Sequence, residues 1–212
     1  MNPEQLKNLI EAALFAAGEP LSMERLLALF SDEERPAREQ VRDVLAALRD
    51  ECATRGIELV EVGSGFRFQV KQELSPWLAR LWEERAPRYS RALFETLALI
   101  AYRQPITRGE IEEVRGVTVS STIMKTLLER EWIRSVGHRD VPGRPALYGT
   151  TRQFLDHFNL SSLEQLPPLP ETSALDTVFH AEAEAMAHAI EIPVSGEVVD
   201  ADVTSASLKQ SE

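Results

Sequence analysis

Three potential metal ligands, His180, Glu184 and His188, lie four residues apart near the carboxyl end of the chain. On a helix they would share one face, and zinc sites use such spacing. The segment provides no fixed scaffold, however, and two of the chain's four histidines could fall there by chance. We therefore expect no metal site and no cofactor.

A serine between two glycines, Gly63-Ser64-Gly65, is the nearest approach to a nucleophile motif. A nucleophile elbow needs Gly-x-Ser-x-Gly, whereas here the glycines flank the serine directly. The spacing instead predicts the turn of a β-hairpin. Neither a phosphate-binding loop nor a Gly-x-Gly-x-x-Gly motif is present, so we predict that the protein is not an enzyme.

One cluster of basic residues could contact nucleic acid: Arg134, His138, Arg139, Arg144 and Arg152. Asp140 dilutes this cluster, and the predicted helix at 118–131 carries two basic side chains against two acidic ones. A groove-reading helix normally presents a basic face. Specific DNA binding is disfavoured, and a DNA-binding transcription regulator is the alternative function.

An internal repeat shows which elements position these residues. Ala17-Gly18-Glu19-Pro20-Leu21-Ser22 returns 85 residues later as Tyr102-Arg103-Gln104-Pro105-Ile106-Thr107. In each copy an amphipathic helix precedes the proline, and further helices and two strands around a glycine-containing loop follow. This order predicts two copies of one small winged-helix domain.

In the first copy, apolar spacing predicts a helix over 4–17 that Gly18 ends, and Ser22 caps the second helix. Pro36 suits the first turn of a third helix, which Gly56 closes. A connecting helix over 74–88 places Trp77, Leu81 and Trp82 on one apolar face. That face either packs on its own domains or anchors a dimer or partner interface.

In the second copy the first helix starts near Ser90. Thr107 and Glu110 form a capping box, and Thr118 opens the third helix. The inner face of that helix is predicted from the spacing of Val119, Ile123, Leu127 and Leu128. Two strands, around Ile133 and over 146–149, and a last helix over 152–158 complete this copy.

Charge is distributed unevenly along the chain. The net charge is −11, and residues 171–212 contribute −8 of it, with nine acidic residues against one lysine. That segment is poor in aromatics and is predicted to be disordered. The fold class is therefore mainly α with small β-hairpins (α+β): two tandem winged-helix domains followed by a disordered acidic tail. We place the domains at 1–73 and 89–166, with the connecting helix at 74–88 between them and the Pro-rich linker and tail at 167–212.

Other features bear on location. A single cysteine, Cys52, cannot form an internal disulfide, no apolar run approaches the roughly 20 residues that span a bilayer, and the first helix contains Glu4 and Glu11. The sequence therefore predicts a cytoplasmic protein without membrane contact.

Long motifs in the second copy, residues 99–108, 111–117 and 142–151, strongly resemble the segregation and condensation protein B (ScpB) family. The resemblance continues through Phe154-Leu155, Phe158, Leu160, Leu163 and Leu166-Pro167 and covers about residues 1–170. One departure is Asn159, where the family pattern has Gly. Because Asn tolerates the left-handed backbone that Gly allows, this departure is conservative.

The resemblance implies a non-enzymatic subunit of a bacterial condensin-like complex that acts in chromosome condensation and segregation during cell division. It implies a homodimer formed through the first domain and binding of the kleisin ScpA, which bridges the head domains of the Smc ATPase. DNA would be contacted only indirectly or weakly, and the protein would reach the nucleoid through the complex. A near-neutral pair of winged helices suits a protein scaffold better than a DNA reader.

We expect the kleisin along the second domain, near polar or aromatic residues set in otherwise apolar motifs: Arg103, Pro105, Arg115, Arg144 and Tyr148. In the alternative interpretation, Pro105 and Gly143 only shape turns and Tyr148 fills the core.

Overall fold

The computed structural model describes residues 2–81 and 89–168 of the 212-residue chain. Three helices, α1 (Pro3–Ala17), α2 (Met23–Leu27) and α3 (Arg38–Glu51), precede an antiparallel hairpin of β1 (Ile57–Val62) and β2 (Gly65–Val70). Gly18 ends α1 in the left-handed conformation, and the Ser22 hydroxyl accepts a hydrogen bond from the Arg25 N–H at the start of α2. Both helix boundaries confirm the prediction from the sequence.

The boundaries of α3 differ from the prediction. Pro36 lies outside the helix, which begins at Arg38 after Ala37. Alanine has no side-chain acceptor for a cap, but Gln40 reaches back so that its Oε1 accepts from the Ala37 N–H at 2.9 Å. At the other end, a turn of 3₁₀-helix over Cys52–Thr54 separates α3 from Gly56.

The core of the first domain lies between the three helices and the hairpin. Each fully buried aliphatic side chain there stabilises the fold by about 1.5–3 kcal/mol relative to its exposed state. The buried residues are Leu6, Ile10, Leu14, Leu21, Met23, Leu26, Phe30, Val41, Val44, Leu45, Leu48 and Leu59.

In its described part, up to Leu81, the predicted connecting helix is broken into short turns. Gln72–Leu74 is a 3₁₀ turn, α4 (Ser75–Leu78) is a single α-helical turn, and Ala79–Leu81 is again 3₁₀. None of these residues is buried. Without a buried face, helical spacing alone does not hold a regular helix together.

The second domain repeats the order of the first. Its elements are α5 (Arg91–Arg103), β3 (Ile106–Thr107), α6 (Arg108–Arg115), α7 (Ser121–Glu129), β4 (Ile133–His138), β5 (Ala146–Thr150) and α8 (Arg152–His157). The predicted capping box at α6 is confirmed, because Thr107 and Glu110 each accept from the other's backbone N–H. Gly116 ends that helix in the left-handed conformation.

The short strand β3 was not predicted. It pairs with β5, so the sheet has the order β3-β5-β4, with Ile106 opposite Tyr148. The first domain has the same feature in reduced form, a single bridge in which Leu21 and Phe66 exchange both backbone hydrogen bonds at 2.9 Å. Leu21 and Ile106 occupy the same place in the sequence repeat, so the two domains share one topology.

The start and the inner face of α7 differ from the prediction. Ser120, not Thr118, caps the helix, and its hydroxyl accepts from the Ile123 N–H. The later start brings Met124 into the core together with Leu127, whereas Leu128 remains 40% exposed. Val119 is fully buried from the segment that precedes the helix.

These elements make the protein mainly α with small antiparallel sheets, in two tandem winged-helix domains. The predicted disorder of the acidic tail concerns residues outside the described part of the chain, and the domain limits stay a prediction. No helix in residues 2–81 or 89–168 combines the length and apolarity needed to cross a membrane.

An aromatic cluster joins α8 to the start of β4. The ring of Trp132 lies 4.6 Å from that of His157 and 5.3 Å from that of Phe158, measured between centroids. Burial, with smaller contributions from Arg67 and Arg130, lowers the pKa of His157 to about 4. The imidazole is therefore neutral in the folded protein at pH 7.

Because His157 is buried and neutral, we expect the protein to lose stability in mild acid. In the unfolded chain His157 binds a proton below its ordinary pKa of about 6.5, whereas in the folded chain it binds one only below about 4. Because the unfolded state binds more protons between these two values, the free energy of unfolding falls as the pH is lowered from about 6.5 to about 4. We expect the free energy of unfolding to fall by roughly 2–3 kcal/mol more in the parent than in His157→Gln between pH 7 and 4.5.

Urea denaturation of both proteins at several pH values measures this difference. Parallel pH profiles for the two proteins would contradict a neutral, buried His157.

Candidate partner-binding site

The junction between α5 and β3 is held by a side chain that the sequence did not single out. The Oε1 of Gln104 accepts from the Thr150 N–H at 2.6 Å, and its Nε2 donates to the Ala101 carbonyl at 3.2 Å. A Cβ added at Gly149 would lie 2.8 Å from that Oε1, so a larger residue there would displace the Gln104 amide. Gln104 thus clamps the sheet to the end of α5.

Three of the predicted kleisin-contact residues surround this junction. Arg103, the last residue of α5, and Pro105, two positions later, are both exposed. Tyr148 is half-buried on β5, where it pairs with Ile106 and packs against the core. The structure therefore places Arg103 and Pro105 on the surface, and Tyr148 partly in the interior.

Arg115 lies in a different environment. Its guanidinium forms an ion pair with Glu95 at 2.9 Å, and its side chain is only 10% exposed. The pair joins α6 to α5 within the domain. An interaction with a partner through this residue stays a prediction, but the structure gives the side chain an internal role.

Arg144 lies at the tip of the second hairpin, in the loop between β4 and β5. Its backbone has a positive φ of 39°, its N–H donates to the Val141 carbonyl at 2.8 Å, and the residue is exposed. Within residues 2–81 and 89–168, neither Arg144 nor Arg103 forms an ion pair, and both guanidinium groups face solvent.

The basic cluster on this hairpin is partly neutralised. Arg139 pairs with Glu110 of the capping box at 2.8 Å. That arginine lowers the pKa of the Glu110 carboxyl further, after the hydrogen bonds from the backbone and the hydroxyl of Thr107. This ion pair leaves less charge at Arg139 available for phosphates, whereas Arg134 and Arg144 of the same hairpin remain exposed.

The connecting segment exposes the predicted anchors. Trp77 is 65% exposed and Leu81 is 71% exposed. Both side chains are therefore available for a contact, and their role as dimer or interdomain anchors stays a prediction. Trp82 lies outside the described residues.

A further apolar feature of the first domain escaped the sequence pattern. Phe15 on α1 is 56% exposed and stacks on Phe68 of β2, with ring centroids 4.6 Å apart. Phe15 is off the stripe of Leu6, Ile10 and Leu14 that predicts the core face. Its only signal was a large aromatic residue at a position that the helical period assigns to solvent.

Metal binding finds no support in the part of the chain that the structure describes, where no group of three or more His, Cys, Asp or Glu side chains could hold an ion. The spaced set His180, Glu184 and His188 lies outside that part.

Comparisons with known proteins give the following similarities. The family model described as segregation and condensation complex subunit ScpB matches residues 8–169. The chain is 56% identical over 185 residues to the segregation and condensation protein B homolog of Coxiella burnetii, which covers 87% of this chain and 88% of that protein. It is 47% identical over 177 residues to segregation and condensation protein B of Syntrophotalea carbinolica, with coverages of 82% and 87%. A crystal structure of a dimer of the ScpB N-terminal domain complexed with a ScpA peptide is 32% identical, covers 37% of this chain and 96% of that one, and has a TM-score of 0.34.

The Gln104 clamp predicts a measurable loss of stability. Gln104→Ala leaves the Thr150 N–H without its acceptor, which costs about 1–3 kcal/mol when the donor is buried. Gln153→Ala, at an exposed position on α8, is the matched control and should change stability by less than about 0.5 kcal/mol. Equal midpoints for the two variants in urea denaturation would show that the clamp contributes nothing.

Proposed function

This chain belongs to the family of segregation and condensation complex subunit ScpB, and we propose on that basis that it is a non-enzymatic subunit that binds the kleisin ScpA. With ScpA and the Smc ATPase it acts in chromosome condensation and segregation during cell division. It works in the cytoplasm without a cofactor of its own and reaches the nucleoid through the complex. The match over residues 8–169 is the observation that carries this proposal.

The kleisin-binding surface that we propose lies on the second domain around the exposed Arg103, Pro105 and Arg144, with Tyr148 contributing its edge. Residues 89–168 contain ten Lys and Arg against nine Asp and Glu. A surface of such balanced charge favours a protein segment over a polyanion. The two unpaired arginines would then give orientation and specificity rather than most of the affinity.

Self-association is the second part of the proposal. The first domain forms the homodimer, and the exposed Trp77 and Leu81 are anchors for a dimer or an interdomain contact, together with Trp82. Large apolar side chains with more than half of their surface in water gain from burial against a partner. The dimer and the ScpA peptide named for the related N-terminal domain come to this chain as part of this proposal, through family membership.

Light scattering on the purified protein, alone and mixed with its cognate kleisin at moderate salt, tests the function. We expect a dimer that takes up kleisin to give one larger species. A protein that ignores kleisin but shifts a short DNA duplex at the same salt, with an affinity that falls steeply as salt rises, would instead be a DNA-binding regulator.

Charge reversal tests the surface. Arg144→Glu should weaken kleisin binding about 5- to 50-fold, because a solvent-facing guanidinium at the hairpin tip is replaced by the opposite charge. Lys125→Glu, a reversal of equal size on α7 in the same domain, is the control and should leave the affinity unchanged. Titration calorimetry gives both values.

Wild-type affinity in Arg144→Glu would remove this residue from the interface. If Arg103→Glu also binds normally, the contact lies outside the second domain's α5–β3 junction. The first domain, the part crystallised with a ScpA peptide in the related protein, would then be examined next.

A further inference from the structure

The tip of the first hairpin, Gly63–Arg67, contacts the end of α8 in the second domain. The Ser64 N–H donates to Oδ1 of Asp156 at 2.8 Å. The Arg67 guanidinium donates to the Asp156 carbonyl at 3.0 Å and to Oδ1 of Asn159 at 2.6 Å. Three hydrogen bonds, each spanning about 90 residues of sequence, therefore converge on one turn of α8.

The fit of this contact is close in shape as well as in polarity. A Cβ added at Gly63 would lie 2.6 Å from the Cβ of Leu155, and all three of the nearest heavy atoms belong to Leu155. Gly63 has no positive φ, so its backbone conformation does not itself require glycine, whereas Leu155 of the second domain leaves no room for a Cβ.

Asp156 and Arg67, the charged residues at this contact, both have hydrogen-bond partners in the other domain. Asp156 is only 6% exposed; its carboxylate accepts from the Ser64 N–H, its backbone carbonyl accepts from the Arg67 guanidinium, and both donors belong to the first domain. Burial lowers the pKa of the Arg67 guanidinium, and the charge of Asp156 offsets part of that effect. Separation of the domains would therefore take from the Asp156 carboxylate the hydrogen bond that Ser64 donates.

We propose that this contact is a latch that holds the two winged-helix domains in one relative orientation and opens to free the hairpin tip. A wing tip is a common recognition element of winged-helix domains, and in the latched form its turn amide and its arginine are already occupied. A partner that needs the first hairpin or the end of α8 must therefore compete with the second domain. Contacts between the domains of one chain resemble transient interfaces, so a partner can shift the balance between latched and open forms.

Two variants break the latch by different means. Gly63→Ala keeps every hydrogen-bonding group but introduces a steric block against Leu155, and Arg67→Ala removes two hydrogen bonds without adding volume. Gly109→Ala is the matched control, because an added Cβ there has nothing within 4 Å and its backbone φ is not positive.

Energy transfer between dyes on Glu61→Cys and Gln153→Cys reports the separation of the two domains. Both positions are exposed and flank the contact, and the native Cys52 is buried. Excess unlabelled chain excludes transfer between protomers. We expect efficient transfer in the parent and in Gly109→Ala, and a clear loss in Gly63→Ala and in Arg67→Ala. Unchanged melting temperatures would show that the loss reflects opening and not unfolding.

Hydrogen exchange gives a second, independent reading. The Ser64 amide should exchange slowly in the parent and at least tenfold faster in both latch variants, because its acceptor lies in the other domain. The proposal is overturned if Gly63→Ala and Arg67→Ala keep the parental transfer efficiency. It is equally overturned if the parent already shows low transfer and a fast Ser64 amide.

Discussion

Each winged-helix domain depends on one backbone contact, in which the segment between its first two helices pairs with the return strand of its hairpin. Leu21 bonds to Phe66 in the first domain, and Ile106 pairs with Tyr148 in the second. This pairing joins the beginning of each domain to its end, so the helices between are enclosed around one core. The pairing brings the two backbones so close that residue 65 must be glycine. A Cβ at Gly65 would fall 2.2 Å from the Leu21 carbonyl oxygen, and the φ of 142° at Gly65 independently favours glycine.

Internal ion pairs reduce the positive charge that the surface of the second domain presents. Arg115 is paired with Glu95, Arg108 with Glu112, and Arg139 with Glu110. The pairs of Arg115 and Arg139 hold α6 to its neighbours, and that of Arg108 lies within α6; Glu112 also accepts from the Val119 N–H at 2.9 Å, which fixes the entry to α7. Exposed arginines remain beside these pairs, among them Arg103, Arg134, Arg144 and Arg152, so the ion pairs lower the positive charge that the domain offers to phosphates without removing it.

Local chemistry explains which parts of the fold were predictable. The caps at Ser22 and Thr107 and the glycine end at Gly18 follow from residues within one helical turn, and the sequence predicted all three. The third helices were harder, since Pro36 and Thr118 are acceptable starts locally but the packing of Val119 and Met124 determines where α7 begins. Four-residue α4 shows the same limit, because an apolar stripe predicts a helix only where something covers it.

The candidate site likewise has features that the sequence predicted and features that it did not. Exposure of Arg103 and Arg144 agrees with their isolation among apolar motifs, but the burial of Arg115 depends on Glu95, twenty residues away on another helix. Gln104 gave no signal beyond its place in the repeat, since its acceptor role depends on a strand 46 residues later. The contact of Ser64 with Asp156 joins two domains and has no local pattern at all.

Asn159 contributes both to its local turn and to the contact between the two domains. Its φ of 55° lies in the left-handed region that favours glycine, which agrees with the expectation that an asparagine can take the place of a glycine here. A glycine would satisfy that backbone equally well but would have no side-chain acceptor for Arg67. In this chain the same residue also accepts from the Arg67 guanidinium at 2.6 Å. The substitution therefore keeps the local turn and adds a bond between domains, so the departure from the pattern has a consequence that lies 92 residues away in sequence.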